Sequence, residues 1–160
     1  TVVDELVGTE NLVVSEKHTP PLFKNADEVF RYFSGDVNKL KEAAKALGIK
    51  DYVIKPYTKE QLNQLNEIST SKTVVFFKHS TRCSISSTAL SRIERQIGNN
   101  YVDVDFVYLD LLNYRNLSNL LGQIYGVEHQ SPQALVIKNK KCVANNSHLS
   151  IDIVEMLKVS

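Results

Sequence analysis

Thr73-Val74-Val75-Phe76-Phe77-Lys78-His79-Ser80-Thr81-Arg82-Cys83-Ser84-Ile85-Ser86 is the stretch on which the fold turns. Its first five residues form an almost wholly apolar run, the pattern of a strand buried on both faces. The segment that follows, Ser87 to Ile97, carries apolar residues at helical spacing. A single cysteine therefore stands where a buried strand gives way to the first turn of a helix. Unpaired backbone N–H groups and the positive end of the helix dipole favour a thiolate there. Arg82 beside the sulfur and Lys78 at the strand end add positive charge, and the three features together are expected to lower the Cys83 pKa. Without that context a cysteine would be a small apolar core residue. The strand-to-helix placement predicts a reactive thiol.

The spacing Cys83-Ser84-Ile85-Ser86 is that of a redox C-x-x-C with serine in the resolving position. A dithiol site can close its own disulfide and release its substrate. A C-x-x-S site cannot; it suits a mixed disulfide with a small thiol, which a second thiol must resolve.

Working outward, Thr58 is a good N-cap for a helix carrying Leu62, Leu65 and Ile68. After the strand (Thr73–Lys78) and helix (about Ser84–Ile97) come a second strand (Val102–Leu109) and a helix (about Asn116–Tyr125) stopped at Gly126. Two strands, Ala134–Lys138 and Lys141–Ala144, are joined at Asn139-Lys140, and a last helix runs from about Ile151 to Leu157. The order β-α-β-α-β-β-α implies two parallel strands through a crossover, then an antiparallel hairpin, with helices on both faces. That is an α/β, thioredoxin-like arrangement around a mixed four-stranded sheet.

Residues 1–56 read as an N-terminal α/β extension of unknown role. Val2-Val3, Leu12-Val13-Val14 and Tyr52-Val53-Ile54 suit short strands, and Thr19-Pro20-Pro21 breaks the chain. Asn25 with Glu28 suits a capping box, and Asp36 to Leu47 carries a helical stripe of Val37, Leu40, Ala44 and Leu47. Gly48 to Tyr57 looks like the closing strand and Lys-Pro turn of a response-regulator receiver domain. The roughly fifty residues ahead of it are too few for that fold, so phosphotransfer is not expected.

The 160 residues suffice for one domain and an appendage, and 42% hydrophobic with 23% charged content is an ordinary globular balance. A formal charge of +1 argues against nucleic acid or an anionic membrane as partner. No apolar run reaches the length of a membrane span, and no signal-like segment opens the chain. Two cysteines do not make a disulfide framework, so a reducing, cytoplasmic setting is expected.

Ser131-Pro132 directly precedes a strand. Sequence alone favours an ordinary trans strand-start proline there; within the inferred topology a cis-proline is expected, facing the reactive cysteine, with the residue before it offering backbone groups to a bound thiol or peptide. Asn145-Asn146-Ser147-His148 reads as a loop after the last strand. It either binds the polar groups of a small thiol or is plain turn chemistry, with Ser150 capping the helix. Cys142 suits core packing better than a resolving role. His79 either tunes the thiol by its charge or is a hydrogen-bonded structural residue. His18, His129 and His148 have no zinc-site spacing, and no metal is expected.

From about Thr58 to Ser160 the chain resembles the monothiol bacilliredoxins, the YtxJ-type bacillithiol-system proteins. The resemblance rests on Phe77-Lys78-His79-Ser80, on Cys83 with Ile85-Ser86, and on Tyr108-Leu109-Asp110 with Asn116-Leu117-Ser118. It continues in Tyr125-Gly126-Val127, Glu128 to Ala134, and Ser147-His148. The family's Thr-Cys-Pro-Ile-Ser is Arg82-Cys83-Ser84-Ile85-Ser86 here, which changes the start of the helix and the charge beside the sulfur.

The resemblance implies a cytoplasmic thiol–disulfide oxidoreductase, an enzyme that removes bacillithiol from S-thiolated client proteins. Bacillithiol, or glutathione, would be a co-substrate rather than a bound cofactor. Cys83 and Ser86 are the candidate catalytic residues. Lys78, His79, Arg82, Ser84, Ser131, Pro132, Asn146 and His148 are the candidate binding residues. The rival readings are a glutathione-dependent monothiol glutaredoxin, an iron–sulfur carrier, and a non-catalytic interaction or stress-response module. Asn145-Asn146 stands where glutaredoxins usually have Gly-Gly, which counts against the first.

Overall fold

A computed structural model describes residues 12–16, 52–56, 58–97 and 103–158. The expected strand at Val2-Val3, the Thr19-Pro20-Pro21 break, and the helices at Asn25 and at Asp36 to Leu47 lie outside those residues, as does Val102. The described strands are β1 (Leu12–Glu16), β2 (Tyr52–Pro56), β3 (Thr73–His79), β4 (Val104–Asp110), β5 (Gln133–Lys138) and β6 (Lys141–Ser147). The helices are α1 (Lys59–Ile68), α2 (Ser84–Ile97), α3 (Arg115–Tyr125) and α4 (Ile153–Lys158).

The sheet order is β1-β2-β4-β3-β5-β6. β3 and β4 are parallel, while β5 runs antiparallel to β3 and β6 antiparallel to β5. This is the predicted four-stranded thioredoxin-like core. β2, parallel to β4, and β1, antiparallel to β2, lengthen it at the β4 edge.

β3 lies at the centre, so both its faces must be apolar. Val74 and Phe76 point into a cluster with Leu62, Leu65, Leu117 and Leu121 of α1 and α3. Val75 and Phe77 point into a second cluster with Ala89, Leu90 and Ile93 of α2 and Ile153 and Met156 of α4. Alternation along the strand then sends Lys78 toward α3 and His79 toward α2. Among the described residues no helix is long and apolar enough to cross a membrane.

Local chemistry sets the ends. Thr58 Oγ1 accepts the Gln61 N–H at 3.2 Å, and Gln61 Oε1 accepts the Thr58 N–H at 3.0 Å, a complete capping box for α1. Gly126, at φ 64°, closes α3 by donating its N–H to the Gly122 carbonyl. The β5–β6 turn has Asn139 and Lys140 both at positive φ, 50° and 63°. Ser69 at the end of α1 holds that turn, its carbonyl accepting from Asn139 N at 2.8 Å and its Oγ from Lys140 N at 2.9 Å.

Two expectations need correction. Asn145 to Ser147 are not a loop: they continue β6, pairing with Leu135, Ala134 and Gln133. β6 borders the sheet and alternates exposed with half-buried positions, so polar residues fit it and hide it from a search for apolar runs. The last helix is capped not by Ser150 but by Asp152, whose Oδ1 accepts the Glu155 N–H at 3.1 Å. Ser150 instead closes a 3₁₀ turn, its Oγ donating to the Ser147 carbonyl at 2.9 Å.

Candidate functional site

Cys83 is half-buried and outside any disulfide. Its N–H donates to the Ser80 carbonyl at 3.2 Å, closing the turn over 80–83, and its carbonyl accepts the Ser87 N–H at 3.0 Å. Cys83 is therefore the N-cap of α2, and its thiol stands at the end of the helix where the N–H groups are unpaired. Arg82 and Ser84 flank it as exposed residues.

Ser86 is fully buried one turn further on. Its Oγ accepts the Ser80 N–H at 3.0 Å and lies 2.7 Å from His79 Nδ1. The His79 ring is held between Phe77, stacked at 5.7 Å, and Tyr108, tilted at 5.5 Å. The serine in the resolving position thus ties the reactive loop to the first turn of α2 and to the end of β3. It has no hydrogen bond with the Cys83 sulfur, and its influence there runs through the backbone it holds. His79 is a hydrogen-bonded, ring-packed residue within the same knot.

The Ser131–Pro132 peptide is cis. The buried Gln133 side chain braces the loop before it: Oε1 accepts the Gln130 N–H at 3.3 Å, and Nε2 donates to the Glu128 carbonyl at 3.0 Å. The Pro132 carbonyl accepts the His148 N–H at 3.0 Å. Ser131 is half-buried, and its backbone N–H and carbonyl have no partner among the described residues.

Asn146 donates from Nδ2 to the Ser150 carbonyl at 3.3 Å, and exposed His148 opens the 3₁₀ turn at φ 56°. That turn packs on α2 and is fastened by Arg92, whose Nη1 donates to the Leu149 carbonyl at 3.0 Å. Lys78 pairs with Gln133, so the cysteine loop after β3 and the proline loop before β5 leave the same end of the sheet. His79, Ser86, Arg82 and Ser84 cluster at the first, Pro132, Asn146 and His148 at the second.

Lys78 does not join them. Its side chain is fully buried on the other face, with Nζ donating to His129 Nδ1 at 3.4 Å, and Ser118 Oγ lies 3.4 Å from the same nitrogen. Burial, then the nearby Arg115 guanidinium, hold the Lys78 ammonium down at about 8. Burial, Lys78 and Arg115 in turn push His129 below its ordinary value. Arg115, Ser118, His129 and Gln133 were not among the expected site residues. A lysine in an apolar strand and a glutamine after a strand-start proline were the signals that buried polar partners existed.

Cys142 stands apart. It packs against the cluster under α1 and α3, with Sγ donating to the Ala144 carbonyl at 3.3 Å. Burial pushes its thiol up, against the opposing effect of backbone hydrogen bonds at Ala144 and Val136. A protonated, half-buried thiol on the face away from α2 is not placed to resolve a disulfide at Cys83.

A thiol at a helix N-terminus, with a cis-proline at the same end of the sheet, suits thiol–disulfide exchange. A solved structure described as a candidate oxidoreductase with a thioredoxin fold is 30% identical, with a TM-score of 0.58 over 66% of this chain and 90% of its own. Thioredoxin from Trypanosoma brucei brucei is 18% identical, with a TM-score of 0.52 over 66% of this chain and 88% of its own. Spinach chloroplast thioredoxin f is also 18% identical, with a TM-score of 0.50 over 65% and 86%; these two share the fold alone. The pattern of the monothiol bacilliredoxin BrxC family matches residues 55–156 and takes in Cys83, Ser86 and the Ser131–Pro132 bond. The chain belongs to the monothiol bacilliredoxin BrxC family.

Proposed function

We propose that the protein removes a small thiol, bacillithiol or a close relative, from mixed disulfides on cytoplasmic client proteins. The Cys83 thiolate attacks the small-thiol sulfur of the client's disulfide. The Cys83–S–S–thiol bond forms as the client's S–S bond breaks, and the client leaves as a thiolate that takes up a proton. A second molecule of the small thiol then attacks this adduct, freeing Cys83 and leaving a symmetrical disulfide for a separate reductase. The observation that carries the reading is the pairing of Cys83, at the N-cap of α2, with Ser86 in place of a resolving thiol. The open backbone groups of Ser131 support it as a docking edge for the disulfide.

The test is intact-protein mass spectrometry after incubation with a bacillithiolated client. The bacillithiol mass should move to the wild-type protein and not to Cys83→Ala. Transfer from a glutathionylated client alone would make this a glutathione enzyme, and absence of any adduct would make it a binding module.

A further inference from the structure

The sulfur and the proline loop stand on different elements, and disulfide exchange needs them in a fixed relation. Cys83 is the N-cap of α2, while the Ser131–Pro132 bond precedes β5. The 3₁₀ turn His148–Ser150 links the two. On one side the His148 N–H donates to the Pro132 carbonyl at 3.0 Å. On the other, Arg92 of α2 donates from Nη1 to the Leu149 carbonyl at 3.0 Å, and its Nη2 lies 3.5 Å from Asp152 Oδ2 just beyond the turn. A path from sulfur to proline therefore runs along a rigid helix, across a guanidinium, and back through a backbone hydrogen bond.

The turn needs such a hold. His148 sits at φ 56°, a left-handed conformation that a residue with a Cβ keeps where its surroundings impose it. The Ile151 N–H reaches the His148 carbonyl at a long 3.5 Å, so the turn closes weakly on itself. Leu149 at its centre is 62% exposed, so packing of that side chain does little to fix it. Arg92 supplies a charge-assisted bond to the carbonyl of that same residue. Its planar fork of donors lets one group hold a carbonyl and a carboxylate in a set orientation. Gln96, one turn further along the same helix face, fastens the start of α4 instead: Nε2 donates to Asp152 Oδ1 at 3.1 Å, and Oε1 accepts the Ile153 N–H at 2.9 Å.

We propose that Arg92 is a positioning residue for disulfide exchange: by pinning the 3₁₀ turn to α2, it holds the Ser131–Pro132 loop where a disulfide docked on that loop meets Cys83. The inference rests on the thiol-transfer reading above for the docking edge at Ser131, and adds the residue that keeps edge and sulfur in register. Arg92 acts through the turn and not on the sulfur. Its effect should therefore appear in exchange with a peptide disulfide and not in the intrinsic reactivity of the thiol.

The test compares the reduced full chain with Arg92→Met, which keeps the side-chain stem and removes the donors. The probe is a short peptide whose cysteine carries a 2-pyridyl disulfide. The Cys83 thiolate bonds to the peptide sulfur as the peptide–pyridyl S–S bond breaks, and the leaving thiolate takes up a proton to give pyridine-2-thione, read by its absorbance. Peptide mapping locates the adduct at Cys83. The exchange rate should fall about tenfold in Arg92→Met, the loss of one charge-assisted hydrogen bond. Alkylation of Cys83 by iodoacetamide needs only the thiolate and should stay within about twofold of wild type. Amide hydrogen exchange at His148 should quicken about tenfold as its bond to Pro132 loosens. Gln96→Met removes two hydrogen bonds from the same helix face; it should lower thermal stability and leave peptide capture unchanged. An unchanged exchange rate in Arg92→Met, an equal loss in alkylation, an unchanged His148 amide, or equally slowed capture in Gln96→Met would each overturn the proposal. The activated peptide reacts with any accessible thiolate, so this result stands whether or not Cys83 accepts bacillithiol from a client.

Discussion

Lys78 and His79 are neighbours in one strand, yet they enter two differently built environments. On the α2 face His79 is clamped between two aromatic rings, and Ser86 ties it to the reactive loop through bonds of 2.7 and 3.0 Å. On the α3 face the Lys78 ammonium has one long bond and no counter-ion among the described residues. The first environment is close to polar saturation, which holds the cysteine loop in one geometry. The second leaves the buried ammonium without a carboxylate among the described residues, which costs stability. A single strand thus supplies a rigid support for the sulfur on one side and a buried, weakly paired ammonium on the other.

The largest effect expected from this contrast is at Lys78. The fall from 10.5 to about 8 corresponds to ~3 kcal/mol of lost stability at neutral pH. Lys78→Met keeps most of the side-chain volume and should stabilise the fold by up to that amount. Below about 8 both folded and unfolded lysine are protonated, so the penalty is constant. Between about 8 and 10.5 the unfolded chain holds the extra proton, so wild-type stability should rise relative to Lys78→Met as pH increases through that window. Cys142 and Tyr125, both pushed upward by burial, act in the opposite direction at high pH, but they are common to the two proteins and cancel in the difference. Urea unfolding of both at pH 7 and pH 10 measures it. A destabilised Lys78→Met would break the contrast.

Ser86→Ala should move stability the other way, by ~2 kcal/mol, because it leaves the buried Ser80 N–H and the His79 ring nitrogen without their shared partner. The same variant should slow formation of the Cys83 adduct, since the loop that presents the sulfur loses its tie to α2. Ser86→Cys tests the other half: it supplies a resolving thiol, so any Cys83 adduct should collapse to an internal disulfide, visible as loss of the bacillithiol mass.

Much of this was legible before the structure. The run Val74 to Phe77 announced a strand buried on both faces, and the helical spacing after it announced α2. A proline at a strand start is by itself ordinarily trans; only the inferred topology pointed to the cis Ser131–Pro132 bond that is observed. Strand alternation alone separates Lys78 from His79, but which face α2 covers depends on the crossover, and sequence therefore grouped both with the sulfur. The Ser86 contacts depend on the tight turn over 80–83, which brings residues six and seven apart together. The polar end of β6 was hidden because an edge strand needs no apolar pattern.

The two cysteines carry the contrast to their own chemistry. Cys142 lies under α1 and α3 with its thiol pushed up by burial and donating to Ala144, so it should react with iodoacetamide on the order of tenfold more slowly in the native protein than after unfolding. Peptide mapping at neutral pH should find Cys83 labelled first and Cys142 labelled only in denaturant. Comparable native labelling would place a second accessible thiol on the face covered by α1 and α3.

The smallest effect is the most discriminating, because it repeats one substitution on the two faces. Ser118, like Ser86, is fully buried, but among the described residues its hydroxyl has a single polar neighbour, His129 Nδ1 at 3.4 Å, an acceptor it shares with Lys78. Ser118→Ala removes that weak bond, and Lys78 remains to donate to the nitrogen. Alanine also favours the helix interior by about 0.5 kcal/mol over serine. The two terms nearly cancel, so stability should stay within about 0.5 kcal/mol of wild type, against the ~2 kcal/mol expected of Ser86→Ala. A Ser118→Ala cost as large as that of Ser86→Ala, measured by the same urea titration, would mean that the α3 face is also a saturated network. Lys78 would then sit in a polar network as complete as that around His79.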